Sequence, residues 1–155
     1  MTVGARSGNH RKTLMRSFSR GFTLIELMIT CVVIAILAAI AIPQYSRYIA
    51  RQKASSGQMD LVSLAMNMEV YLQNNTTYPA TAADTAAVKA LLPAWAPAQG
   101  ADFNYKIQAV SNSVFPPTYT LQAVGTSSAV SGCTISLTSA NGRERSGCPG
   151  SGTTW

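Results

Sequence analysis

The chain has 155 residues, of which 12% are charged and 47% are hydrophobic, and this size suits one compact domain with an appendage. Its formal charge of +6 is concentrated at one end, because five of its twelve Lys and Arg residues precede Gly21 and none of its six acids does. The remaining residues are nearly neutral, which disfavours nucleic acid as a partner, and they lack histidine, which disfavours an enzyme with a histidine base.

The first segment, residues 1–21, is basic, polar and free of acids, and it is followed directly by an apolar run. Such a segment is predicted to stay in the cytoplasm, because positively charged flanks of a membrane helix are retained on that side. The shorter stretch from Met15 to Gly21 has the same character. Either Met1 or Met15 could therefore be the first residue of the leader.

An uncharged run extends from Leu27 to Ile42. With Phe22–Ile25 it approaches the roughly 20 residues that a helix needs to span a bilayer, so a transmembrane helix is predicted. A secretory signal cleaved near Ala38 or Ala41 is one alternative, and an uncleaved signal anchor is another. The length of the run and the presence of Glu26 argue against the secretory signal.

Glu26 is the most informative residue of this segment. A carboxylate at membrane depth costs on the order of 2–3 kcal/mol, so it calls for a partner. No Lys or Arg follows it within one or two helical turns. If the chain were cut after Gly21, the new α-amino group of Phe22 would lie one turn away. In a bundle of staggered helices, Glu26 of one subunit could then neutralise the Phe22 amine of its neighbour.

Pro43 is predicted to bend or break the helix, because proline removes a backbone hydrogen bond. Residues 44–74 remain compatible with an amphipathic helix, in which Gly57 is a weak point. Two neighbouring apolar stripes are predicted to pack in a core, and they contain Leu61, Ala65, Met68 and Leu72, then Met59, Val62, Met66 and Val70. A solvated or headgroup-facing surface is expected for Arg47, Arg51 and Lys53.

A loop over residues 75–102 is predicted after this helix, with a short helix that opens near Asp84 and closes at Pro93. Alternation of apolar and polar residues then predicts strands over 103–108, 119–123 and 133–138. Asn141-Gly142 is a tight-turn signal. Three or four antiparallel strands are therefore expected to lay one apolar face on the amphipathic part of the helix.

The three cysteines fall into two groups. Cys31 lies in the apolar run and is interpreted as a small buried hydrophobic residue. Cys133 and Cys148 lie in a polar region, and they are predicted to form a disulfide in an oxidising compartment such as the periplasm. Neither belongs to a CxxC pair and the single histidine, His10, lies in the leader, so no metal or other cofactor is predicted.

The segment Gly21–Ile29, with the sequence GFTLIELMI, closely resembles the cleavage and methylation motif of type IV pilins and related pseudopilins. The resemblance extends to about Tyr45 and includes Pro43. It implies cleavage after Gly21 by a membrane prepilin peptidase and N-methylation of Phe22 by the same enzyme. It also implies that Glu26 pairs with a neighbour's Phe22 amine during assembly.

The resemblance further implies an α+β fold, in which a long N-terminal helix packs on a small antiparallel sheet. The chain then divides into a leader, a transmembrane and filament-core half-helix and a periplasmic globular domain, over residues 1–21, 22–44 and 45–155. The implied partners are other pilin subunits, the prepilin peptidase and the inner-membrane assembly machinery. The implied location is the inner membrane and then the pilus, where a minor pilin would serve pilus biogenesis, adhesion or twitching motility.

Two alternatives share the N-terminal motif. A secretion pseudopilin often carries a calcium-binding acidic loop near its C-terminus, where this chain has only Glu144 as an acid. A DNA-binding pilin could use Arg143 and Arg145 on phosphates, but Glu144 lies between them and the net charge is small. The tail after Cys148 is longer than the resemblance leads us to expect.

Overall fold

The computed structural model describes residues 21–150 and 152–155. Expectations about the leader before Gly21, among them the choice between Met1 and Met15, lie outside these residues. The elements in chain order are α1 (Leu24–Asn75), α2 (Thr85–Leu91), β1 (Phe103–Ser111), β2 (Thr118–Gly125), β3 (Thr134–Thr138) and β4 (Arg143–Ser146). The described residues fall into two units, one that ends at Ala38 and one from Ala39 to Trp155.

Helix α1 has 52 residues and passes through Pro43 without ending. The helix break that the sequence allowed is therefore absent, and the helix continues on both sides of Pro43 although proline removes one N–H donor. A bend at Pro43 stays a prediction. The helix ends at Asn75, and Thr76 follows in the left-handed region with φ 63° and donates its N–H to Leu72 O at 2.7 Å.

In the first unit, the apolar side chains of α1 are exposed in the single chain up to Leu37. The interpretation of Cys31 as buried is wrong for the isolated chain, because Cys31 shares this exposure. One stretch near the start of α1 is long and apolar enough to cross a membrane, judged by length and composition. The α+β organisation of a long apolar N-terminal helix and a small antiparallel sheet is confirmed.

The core of the second unit includes one face of α1. Leu61, Leu64 and Met68 are completely buried there, in one cluster with residues of β1, β2 and β3. The packing predicted for the second stripe is wrong for three of its members, because Met59, Met66 and Val70 are exposed. One side of a helix can meet a single sheet only over a limited arc, and these three side chains lie beyond it.

The four strands form one antiparallel sheet in the order β1-β2-β3-β4. All three predicted strands are confirmed, and β4 follows the predicted turn, where Asn141 has φ 59°. The register of β1 and β2 shifts between Ile107 and Ala109. The predicted short helix is also confirmed, and Asp84 caps it by accepting a hydrogen bond from Ala87 N at 2.8 Å.

Gly57 has a packing role that the sequence did not indicate. It is buried in α1, and a Cβ atom added there would lie only 3.0 Å from Cε2 of Phe103. Glycine therefore allows the fully buried Phe103 ring of β1 to approach the helix backbone. This close approach accounts for a residue that on helix propensity alone weakens the element by about 1 kcal/mol.

Candidate functional site

The start of α1 carries the three residues that the motif singles out. Gly21 and Phe22 precede the helix and Glu26 lies in its first turn, and all three are exposed. Thr23 lies directly before the helix, and its Oγ1 accepts a hydrogen bond from Glu26 N at 3.2 Å. The spacing of Thr23 and Glu26 is that of a capping box, which the sequence analysis missed although the pattern T-x-x-E is readable.

The cap and the acid act together at this helix end. The first backbone N–H groups of a helix lack intrahelical acceptors and carry partial positive charge, so a carboxylate in the first turn stabilises them. Leu27 N also donates to Thr23 O at 3.2 Å, which closes the first turn. Within the described residues, Glu26 makes no ion pair. Any cationic partner of Glu26 would therefore lie outside these residues.

A buried carboxylate organises the second unit. Asp60 of α1 is 7% exposed and accepts hydrogen bonds from Ala98 N at 2.9 Å, Gln99 N at 2.8 Å and the Tyr105 hydroxyl at 2.6 Å. Trp95 donates from Nε1 to Ser63 Oγ at 2.9 Å and lies edge-on to Tyr105. Asp60 thus holds the loop before β1 on the helix. We call the Asp60 carboxylate together with its three hydrogen-bond donors the Asp60 clamp.

Lys53 departs from its expected solvated position. Its Nζ lies 2.6 Å from Asp102 Oδ1, in the loop that leads into β1. The hydrogen bond from Lys53 lowers the pKa of Asp102 below its ordinary value. Of the three cations after the apolar run, Lys53 is therefore neutralised within the chain, whereas Arg47 and Arg51 are exposed.

We expect the free energy of unfolding to decrease as the pH rises above about 10. Burial, assisted by the hydrogen bond to Glu69, raises the pKa of Tyr78 to about 12, and burial likewise raises the pKa of Tyr105 and of Tyr119. The unfolded tyrosines ionise first, so this stability is complete below pH 10 and is lost as the pH rises through the folded-state pKa. Denaturant titrations at pH 9 and pH 11 measure it. Equal stability at both values would contradict the expectation, and Tyr78→Phe should reduce the difference.

The predicted disulfide is present and joins Cys133 to Cys148. The tail beyond it folds back along β4, because Arg145 N donates to Thr153 O at 2.7 Å and Arg145 Nε donates to Gly152 O at 3.0 Å. The last residue, Trp155, donates from Nε1 to Glu144 O at 3.1 Å. The tail that looked too long is thus the segment that covers the edge strand.

Two arginines of β4 point away from the acid between them. Arg143 pairs with Leu137 and Arg145 pairs with Ile135, whereas Glu144 pairs with Ser136. Directly opposite residues in a sheet share a face, so both arginines lie on the face of the buried Leu137 and Ile135, and Glu144 lies on the other. The guanidinium of Arg143 lies 4.8 Å from the Trp155 ring centroid. Within the described residues, Glu144 makes no ion pair with either arginine.

Within the described residues, no group of three or more His, Cys, Asp or Glu side chains is placed to hold an ion. The buried carboxylate of Asp60 is already occupied by three hydrogen-bond donors.

Two family models match the chain. One, described as "Type IV minor pilin ComP, DNA uptake sequence receptor", matches residues 43–138, and the other, described as "Prokaryotic N-terminal methylation motif", matches residues 16–42. A "Type IV major fimbrial protein FimA" and a "Fimbrial protein", both of Dichelobacter nodosus, are each 52% identical to the chain over 61 residues. Those residues are 39% of this chain and 36% of each relative, so the match spans about a third of the relatives' length.

Proposed function

Because this chain belongs to the family of type IV minor pilins whose model is described as "Type IV minor pilin ComP, DNA uptake sequence receptor", we propose that it is a minor pilin that enters a pilus through the first part of α1. The observation that carries this proposal is the exposed apolar start of α1, capped at Thr23 and with Glu26 in its first turn. The exposed side chains suit first a lipid environment and later the surfaces of neighbouring helices.

The proposed sequence of events begins in the inner membrane, with the N-terminus in the cytoplasm. Prepilin peptidase cleaves after Gly21 and methylates the new amine of Phe22. The assembly machinery then moves the subunit into the base of the filament, where α1 exchanges lipid for other pilin helices. Glu26 has no ion-pair partner in the described residues. In the filament its carboxylate forms an ion pair with the Phe22 amine of a neighbour. The function is mechanical, and no catalytic step is assigned to the chain.

Glu26→Ala is expected to leave cleavage intact and to reduce the amount of the subunit in sheared filaments by about tenfold or more. The neighbour's Phe22 amine would remain unpaired among apolar helices, at a cost on the order of 2–3 kcal/mol. Immunoblots of sheared filaments and membranes, with intact masses, measure both steps. Glu144→Ala, an exposed acid of β4, serves as the control and should assemble normally. Normal incorporation of Glu26→Ala would contradict the pairing.

A second proposed function is contact with DNA. It is favoured by the family description and by the position of Arg143 and Arg145 on one face of β4, away from Glu144. Arginine suits phosphate contacts because its planar group can donate two parallel hydrogen bonds. The modest charge of the mature chain then predicts few phosphate contacts and binding that weakens as salt increases.

The DNA function is tested with the full chain in detergent micelles and a duplex probe at several salt concentrations. The double variant Arg143→Ala/Arg145→Ala should weaken binding at low salt and lower the slope of log K against log salt by about 2, since each phosphate contact contributes about 0.9. Lys89→Ala/Lys106→Ala removes the same charge elsewhere and should leave the slope nearly unchanged. An equal loss of DNA affinity in both double variants would mean that only the net charge matters. Absence of DNA binding by the wild type would refute the function.

A further inference from the structure

A surface depression of about 380 Å³ lies between α1 and the end of β4, and we call it the α1–β4 depression. Its lining consists of Arg51, Ser55, Gln58, Arg145, Pro149 and Gly150. Among these described residues two are cations and none is an acid. All six belong to the second unit.

One lining residue has an unmet need for a partner. Gln58 is 8% exposed, and within the described part of the chain its Nε2 atom is buried without a hydrogen-bond partner. A buried polar group that lacks a partner typically costs about 1–3 kcal/mol. Gln58 lines the α1–β4 depression, and a rotation of its amide group would turn the donor towards whatever fills the depression. The unpaired amide of Gln58 therefore lines the same depression as the two cationic side chains, Arg51 and Arg145.

The tail holds one of those cations in place. Arg145 donates from Nε to Gly152 O at 3.0 Å, and this leaves the two terminal nitrogens of the guanidinium as further donors. A Cβ atom built on Gly150 would lie 3.6 Å from Nη1, and the φ of 117° at Gly150 is accessible essentially to glycine alone. The hydrogen bond to Gly152 thus restrains the guanidinium before any ligand arrives, which lowers the entropy cost of binding.

We propose that the α1–β4 depression binds a phosphate group of a DNA backbone. The proposal rests on the DNA function proposed above and adds Arg51 and Gln58 to it. A phosphodiester offers acceptor oxygens and a negative charge, which match two guanidinium groups and an amide donor. Arg145 and the tail lie beyond residue 138, where the family match ends, so half of this site is contributed by residues outside that match.

The first experiment uses inorganic phosphate and the full chain in detergent micelles, observed by nitrogen-15 NMR. Phosphate should shift the side-chain signals of Gln58 and of Arg145 Nε with saturation on the order of millimolar, the range of weak single-site binding. Sodium chloride of equal ionic strength should not shift them. Absence of a phosphate-specific shift overturns the site. Equal shifts with acetate overturn the phosphate assignment and indicate a carboxylate, such as one from a neighbouring chain.

The second experiment measures DNA binding of Gln58→Leu/Arg145→Gln and, independently, of Arg51→Gln. Arg51 is exposed, so its replacement keeps the test informative if the first variant folds poorly. Each should weaken DNA binding to a similar degree for all sequences and lower the salt slope by about 1, while Lys106→Gln should not. DNA binding with an unchanged slope overturns the site and leaves the DNA function standing. Phosphate shifts without DNA binding retain the site and refute DNA as the source of its phosphate.

Discussion

Asp60→Ala is expected to lower the free energy of unfolding of the second unit by about 3–5 kcal/mol, since it leaves one buried and two partly buried donors without their acceptor and each buried donor typically costs about 1–3 kcal/mol. Those donors are Ala98 N, Gln99 N and the Tyr105 hydroxyl. Denaturant titration of the full chain in micelles measures the loss through the fluorescence of Trp95, which is 2% exposed. A Trp155→Phe background removes the signal of the tail.

Asp84→Ala is the matched control for the Asp60 clamp. It also removes a carboxylate that accepts from a backbone N–H group, but on the exposed cap of α2, where a loss of about 1 kcal/mol is typical. If Asp60→Ala lowers the free energy of unfolding no more than Asp84→Ala does, water satisfies the three donors in place of the Asp60 carboxylate. Asp60→Asn should lie between the two, because the amide keeps one acceptor and introduces a competing donor.

Removal of the disulfide by Cys133→Ala/Cys148→Ala should lower the free energy of unfolding by about 3 kcal/mol, the loop-closure value for a loop of about 15 residues. The sequence separation of the two cysteines is 15. The same denaturant titration measures this loss. The tail should also become more susceptible to protease, because the covalent link between positions 133 and 148 would be absent.

Cys31→Ala provides the control for this prediction, because that thiol is free and exposed in the first unit. It should leave the stability of the second unit unchanged. Reduction of the wild type with a thiol reagent should reproduce the effect of the double variant. Equal stability of oxidised and reduced protein would mean that contacts of Trp155 and Arg145 alone suffice to hold the tail.

The features that the sequence predicted well are those encoded in neighbouring residues. The strand at 103–108 was recognisable because apolar and polar side chains alternate, and the turn at Asn141 because few residues adopt its left-handed backbone easily. The apolar stripe with Leu61 and Met68 was recognisable from its helical spacing. Such patterns need only the local chain geometry to become visible.

The features that escaped the sequence depend on segments that meet across long separations. Asp60 looks like part of a solvated helix face, and its burial follows from a loop that returns 38 and 39 residues later. Similarly, Glu144 seemed to neutralise Arg143 and Arg145, because the three residues are adjacent in sequence. Only the strand pairing shows that Glu144 and the two arginines lie on opposite faces of the sheet. Trp155 had no assigned role until the tail was seen beneath Arg143.

The helix cap at Thr23 has a consequence for the proposed processing step. Proteases generally need an extended backbone at the bond they cut, and the bond between Gly21 and Phe22 lies just outside the first hydrogen-bonded turn. Thr23 therefore marks the boundary between the residues before it, which a peptidase could bind in an extended form, and the helix that follows it. If the chain is cut at that bond, the helix would not have to refold afterwards, since its first turn is already complete in the uncut chain.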